Sequence, residues 1–166
     1  IANNTVGRVA NKGMEGLALT PNGAFLYGAM QSPLAQDGGT AAPYLRIVRM
    51  NAGGGGLREY VYPLTNIGTA SKPKYPTVSE VLALNDHELL VDERDGKGLG
   101  DNSTAAYKRI YRIDLGAAQV LPANTSGSAN LAPYAVAKTL VIDLVAALGA
   151  HGVAANDFPA KIEGMA

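Results

Sequence analysis

The sequence predicts an all-β fold: a portion of a β-propeller, about two four-stranded antiparallel blades plus the start of a third. Short runs rich in Val, Ile, Leu and Tyr are punctuated by Gly, Pro, Asn and Asp, the pattern of strands joined by turns. The run Glu15-Gly16-Leu17-Ala18-Leu19 returns as Glu80-Val81-Leu82-Ala83-Leu84 and starts again as Glu163-Gly164-Met165-Ala166. The leading glutamates are 65 and 83 residues apart. A four-stranded unit repeated radially at that spacing is a propeller blade carrying extended loops.

Residues 15–20 and 24–30 flank Pro21-Asn22-Gly23, whose Asn-Gly tolerates positive φ and so predicts a hairpin. Residues 44–50 and 57–62 follow, joined through the glycine run 53–56. The cycle restarts with 79–84 and 88–93 around Asn85-Asp86, then 107–113 and a run near 135–142. Leu144 and Leu148 behind Asp143 predict one short helix over 143–150 with Asp143 as its N-cap. The blades are expected over 15–64 and 79–142, with the next beginning at 162–166, and the long loops over 31–43 and 95–106. Two blades cannot close a ring. The expectation is therefore a partial propeller domain over 1–166 that is completed by further blades or another chain, with a small β-sandwich as the alternative.

Composition narrows the function. The chain has 166 residues, 47% of them hydrophobic and 17% charged, which is globular. Fourteen basic and fourteen acidic residues cancel, so no global field draws it to nucleic acid or an anionic membrane, and a charged ligand requires a local cluster. The apolar stretches fall short of the roughly 20 residues that span a bilayer. With no cysteine, a metal would be held by oxygen and the two histidines, which favours hard cations. The chain starts at Ile1 without a basic-then-apolar leader, so any signal peptide is expected to have been removed or never included.

Residues 12–23, followed by Leu26-Tyr27 and Ala29-Met30-Gln31-Ser32-Pro33-Leu34, resemble the opening blade of the phytase-like esterase propellers. The family's order continues through Glu59-Tyr60-Val61-Tyr62-Pro63-Leu64, residues 89–95, residues 108–115, Lys138-Thr139-Leu140 and Lys161-Ile162-Glu163-Gly164. The Glu-Gly pairs are also similar, more weakly, to the calcium-dependent β-propeller phytases. The resemblance implies a secreted or periplasmic hydrolase of a small ester or phosphoester, with the strand led by Glu15 innermost and its carboxylate near the channel mouth.

Period-two alternation puts Glu15, Leu17 and Leu19 on one face and Gly16, Ala18 and Thr20 on the other, where small side chains permit close packing by the next blade. Carboxylates converging at one mouth repel unless a cation relieves them, and Ca²⁺ accepts six to eight oxygens. Glu15, Glu163 and Glu80 are the candidate ligands of a divalent metal, Ca²⁺ above others, which would activate water without a nucleophilic serine. Glu93 is a further candidate ligand, Glu15, Glu163 and Glu93 are each candidates for the base that takes the water's proton, and Arg94 is a candidate to act in the chemistry by gripping an anionic substrate oxygen. Their bland counterparts are a strand-end ion pair and solvated carboxylates. Lys12 and Lys161 read as exposed charges, His87 and His151 as surface histidines, and residues 53–56 as a flexible turn. Residues 95–101 read as an exposed loop with Lys97 where a calcium loop wants oxygen. There is no Gly-x-Ser-x-Gly elbow, and Ser32 is a weak nucleophile candidate. A propeller that binds a small anion or a protein partner without turnover is the alternative to a hydrolase, and a scaffold fragment is a third reading.

Overall fold

The structure is a computed structural model and describes residues 4–165. Eight strands form two four-stranded antiparallel sheets, ordered β1-β2-β3-β4 and β5-β6-β7-β8. The first comprises β1 (Met14–Leu19), β2 (Phe25–Met30), β3 (Tyr44–Asn51) and β4 (Arg58–Pro63). The second comprises β5 (Thr77–Ala83), β6 (Glu88–Arg94), β7 (Lys108–Asp114) and β8 (Lys138–Asp143). Each sheet is a meander of neighbours in sequence, as the repeated hairpins predict.

The sheets meet through β1 against β5, with β2 also reaching β5. Alternation in β1 makes this possible. Gly16, Ala18 and Thr20 are buried, whereas Leu17 and Leu19 on the other face are 62% and 57% exposed. A Cβ at Gly16 would lie 2.7 Å from the backbone N of Val81, so only glycine allows this approach. Tyr27, Leu45, Ile47, Tyr60 and Tyr62 of the first sheet join Val78, Val81, Leu89 and Val91 of the second in one core. Each such buried side chain contributes about 1.5–3 kcal/mol.

Hydrogen bonds pin both ends of the seam. At the hairpin end, Tyr27 Oη donates to the Asp86 carbonyl at 2.7 Å and Asn22 Nδ2 to Asp86 Oδ2 at 2.9 Å. At the other end, Val78 N donates to Gln31 O at 3.1 Å. The Asn22-Gly23 turn closes through Gly23 N to Thr20 O at 2.8 Å, with Gly23 at φ 71°.

The β7–β8 connection departs from expectation. Rather than extending β8 back to Ala135, residues 115–137 return to the first sheet and line the edge of β4. Leu121 N donates to Glu59 O at 2.8 Å and Val136 N to Val61 O at 3.0 Å. The segment carries α1 (Ser128–Leu131) and a 3-10 turn over Ala132–Tyr134, and Leu121 and Leu131 bury against Val61. β8 therefore begins only at Lys138, where pairing with β7 starts. Arg46 anchors the same corner, donating to Asp37 at 2.7 and 2.9 Å, Glu59 at 2.6 Å and Thr125 O at 2.8 Å.

After β8, α2 (Leu144–Gly149) starts from Asp143, whose side chain accepts from Ala146 N at 3.1 Å, as the N-cap reading requires. Residues 161–165 are not in a strand. The chain just before them is committed to the 95–99 loop, with Ala160 N donating to Leu99 O at 2.9 Å. Ala166, the last residue of the expected third-blade start, lies outside the described residues. Among the described residues no helix is long and apolar enough to cross a membrane.

Replacing Gly16 by Ala is expected to lower unfolding stability by about 1–3 kcal/mol through overpacking, whereas Leu17→Ala on the open face stays within about 0.5 kcal/mol. Urea denaturation of both variants checks this. Equal losses would mean that the Gly16 contact does not hold the seam.

Candidate functional site

β2 runs out at Gln31, β5 starts at Thr77 and β6 ends at Arg94, all at the same end of the seam. A cleft of about 640 Å³ opens there, lined by these three residues and by Lys12, Lys74, Lys97 and Lys161. Asp95 is the acidic residue of the lining, and its carboxylate is already committed. It takes Lys108 Nζ at 2.8 Å, Ala106 N at 3.0 Å and Tyr107 N at 3.1 Å. The cleft is thus a local basic surface on a chain of zero net charge, and an anion is the ligand its field favours.

Arg94 has unused donor capacity. It is 4% exposed; its Nη2 donates to Glu163 Oε1 at 3.2 Å, while its buried Nε has no acceptor. Lys108, its neighbour across the ladder, differs. The Lys108 ammonium meets Asp95 Oδ1 and the carbonyls of Asp95, Lys97 and Ala160 at 2.8–3.0 Å and has nothing left for a ligand. The Gln31 side-chain oxygen is buried beside the cleft without a donor.

Alternation along β6 sends Glu93 away from Arg94. Glu93 is fully buried; Oε1 accepts from Tyr62 Oη at 2.7 Å and from Lys138 Nζ, and Oε2 accepts from Tyr107 Oη at 2.8 Å. Burial and the Glu93 charge together hold both tyrosine hydroxyls above their ordinary range. Glu93 and Arg94 are therefore not an ion pair. Glu93 is absent from the lining of the cleft, and both its oxygens are engaged by these buried donors.

The repeated glutamates do not occupy equivalent places. Glu15 is the extra residue of a bulge in β1 and is exposed. In β5 the bulge falls one step earlier, so Ser79 is the extra residue and Glu80 pairs with Asp92. Glu80 Oε1 accepts from the following amide, Val81 N, at 2.8 Å. Glu163 is exposed and bound to Arg94. Among the described residues no three acidic or histidine side chains form a metal-holding group.

Sequence reasoning missed Asp92 and did not bring two lysines to the cleft, although Lys161 is exposed as expected. Asp92 is 1% exposed and its Oδ1 has no donor. Burial pushes its carboxyl up to about 6, while Arg94 and Lys108 pull the other way. Asp92 opens the charged run Asp92-Glu93-Arg94-Asp95 directly after Leu89-Leu90-Val91, and nothing in that run singles it out from its neighbours. Lys12 and Lys161 line the cleft instead of standing apart, and Lys12 is half-buried. Their shared place just ahead of a leading Glu was the hint. Ser32 is buried, its hydroxyl near only its neighbour's carbonyl at 3.5 Å. His87 is exposed and bound to Asp114 at 2.7 Å; His151 is exposed beyond α2. Residues 53–56 form the expected exposed turn, with Gly54, Gly55 and Gly56 at positive φ.

Because folding raises the Asp92 pKa from 3.8 to about 6, the folded state keeps this proton longer than the unfolded state. Its contribution to stability is greatest below pH 4 and is lost as pH rises through 6. With a chelator present, Asp92→Asn is expected to flatten that fall and stabilise the protein by up to about 3 kcal/mol at pH 7. Denaturant titrations from pH 4 to 8 check it; an unchanged pH slope in the variant contradicts it.

The whole chain, residues 1–166, matches the phytase-like family, described as esterase-like activity of phytase. No curated protein and no solved structure matches it. With two propeller-like four-stranded sheets and the family's motifs in order along its length, the chain belongs to the phytase-like family, whose description places it among esterase-like hydrolases.

Proposed function

We propose that the protein hydrolyses a small anionic ester, phosphoesters included, with the basic cleft at the end of the seam between its two sheets as the substrate site. Arg94 is the observation that carries this reading. It is a buried guanidinium at the cleft floor, and its Nε lacks an acceptor in the protein. A phosphoryl or carboxylate oxygen satisfies that donor, and Lys12, Lys97 and Lys161 add attraction at longer range.

Glu163, exposed and 3.2 Å from Arg94, is the carboxylate placed to serve a substrate held there. Water adds to the phosphorus or carbonyl carbon and gives its proton to Glu163. The ester bond then breaks, and the departing alcohol oxygen takes the proton back. A divalent cation, when bound, supplies charge neutralisation and a more acidic water. Glu15, Glu80 and Glu163 are hard-oxygen groups of the class such an ion takes, and the orphaned buried oxygen of Asp92 opposite Glu80 fits a cation nearby.

Leu17 and Leu19 on β1 and Leu140 and Val141 on β8 remain exposed, and further blades or another chain would cover them. Secretion or a periplasmic location accompanies the family resemblance. A propeller that binds the same anions without turnover rests on the same cations and is separated from a hydrolase by product formation.

Arg94→Gln is expected to raise KM for p-nitrophenyl phosphate about 10- to 100-fold, the loss of one charge-assisted hydrogen bond, and to affect neutral p-nitrophenyl acetate less. Glu163→Gln is expected to lower kcat about 100-fold on both. Unchanged KM in the first variant removes Arg94 from substrate binding, and unchanged kcat in the second removes Glu163 from the chemistry. Tight phosphate binding with no cleavage by the wild type supports the binding propeller instead.

A further inference from the structure

We infer that Asp92, Glu80, Ser79 and Gln31 form a calcium site where β5 and β6 meet the end of β2. This deepens the metal-assisted reading above and rests on it for the class of ion. It changes the ligands.

The first observation is a buried carboxylate oxygen with no hydrogen-bond partner. Asp92 is 1% exposed and its Oδ1 receives no hydrogen bond. A buried carboxylate of this kind must hold a proton or meet a cation. The nearby basic side chains are engaged elsewhere: Lys108 with Asp95 and three carbonyls, Arg94 with Glu163.

The second observation is the chemistry of the neighbours. Glu80 stands opposite Asp92 in the ladder, and two carboxylates facing each other across an antiparallel pair repel. Ser79, the extra residue of the bulge, is 3% exposed and its Oγ has no partner. Gln31 is 8% exposed with its Oε1 also unpartnered, and its backbone oxygen accepts from Val78 N beside that bulge.

A proton on Asp92 would relieve its charge and supply one donor, which satisfies at most one of the serine and glutamine oxygens. One hard cation answers all four groups. Two carboxylates and two neutral oxygens, completed by water, suit the six to eight ligands of Ca²⁺ better than Mg²⁺, which keeps its waters and demands an octahedron. Bulges beside functional sites re-aim side chains in this way.

The test is thermal unfolding and isothermal titration of the full chain after EDTA treatment, with CaCl₂ or MgCl₂ added at pH 7. At a hundred times Kd, Ca²⁺ is expected to raise the wild-type Tm by about 5 °C or more, with Mg²⁺ doing less. Asp92→Asn is expected to abolish the calcium shift while its metal-free Tm matches or exceeds the wild type's. Ser79→Ala is expected to weaken calcium binding about tenfold. If Asp92→Asn does not fold, Glu80→Gln answers the same question. No calcium shift in the wild type, or an equal one in Asp92→Asn and Glu80→Gln, overturns the inference. Calcium binding without ester cleavage leaves this site standing and removes the hydrolase reading; cleavage that survives EDTA in a protein with no calcium shift does the reverse.

Discussion

The close approach of β1 to β5 at Gly16 and Val81 is the constraint on which the rest of the architecture depends. It needs a strand face with almost no side chains, and Gly16, Ala18 and Thr20 provide one. Because the sheets touch there at backbone distance, the large residues of β2, β3 and β4 meet the second sheet's apolar face behind the seam. The seam is then fixed at the turn end by Asp86 and at the opposite end by Gln31. Beyond Gln31 the strands have ended and the 65–76 and 95–106 loops stand apart. The basic cleft is the space left between them.

Buried charge is otherwise matched closely in this molecule. Arg46 is held by Asp37 and Glu59, Lys108 by Asp95 and carbonyl oxygens, and Lys138 by Glu93. Breaking one partner of such a pair typically costs about 3–5 kcal/mol because the other is stranded. Against that background Arg49, Arg94 and Asp92 each keep a buried atom without a hydrogen-bond partner; Arg49 stacks on the Phe25 ring at 4.3 Å, and Arg94 and Asp92 share one face of β6. One is a donor beside a cleft of positive charge, and the other an acceptor beside oxygen ligands. An anion for the first and a cation for the second are the complementary ligands, and they lie two residues apart on one face of β6.

The sequence was legible where local chemistry decides the outcome. Asn22-Gly23, the glycine run at 53–56 and Asp143 ahead of Leu144 each specify a turn or cap through backbone preferences, and the structure has them there. The small-residue face of β1 was legible too, because period two needs no tertiary information. The bulges were not. A one-residue slip moves a side chain to another position, so the matching glutamates 15 and 80 look equivalent in the chain and are not equivalent in the sheets. The apolar Ala135 and Val136 predict the start of the last strand, but Val136 bonds instead to Val61 of β4, a partner far away in the chain. Lys12, Lys161 and Asp92 gained their meaning only from which loops and strands surround them.

The cleft lined by Arg94 is the proposed anion site of this esterase-like family member. Its most direct measurement is a crystal structure of the protein soaked with tungstate, a phosphate mimic located by its anomalous scattering. A tungstate peak is expected within hydrogen-bond distance of Arg94 Nε, with lysines of the cleft turned toward it. Tungstate found only at exposed lysines elsewhere, with Arg94 Nε still lacking an acceptor, would contradict it.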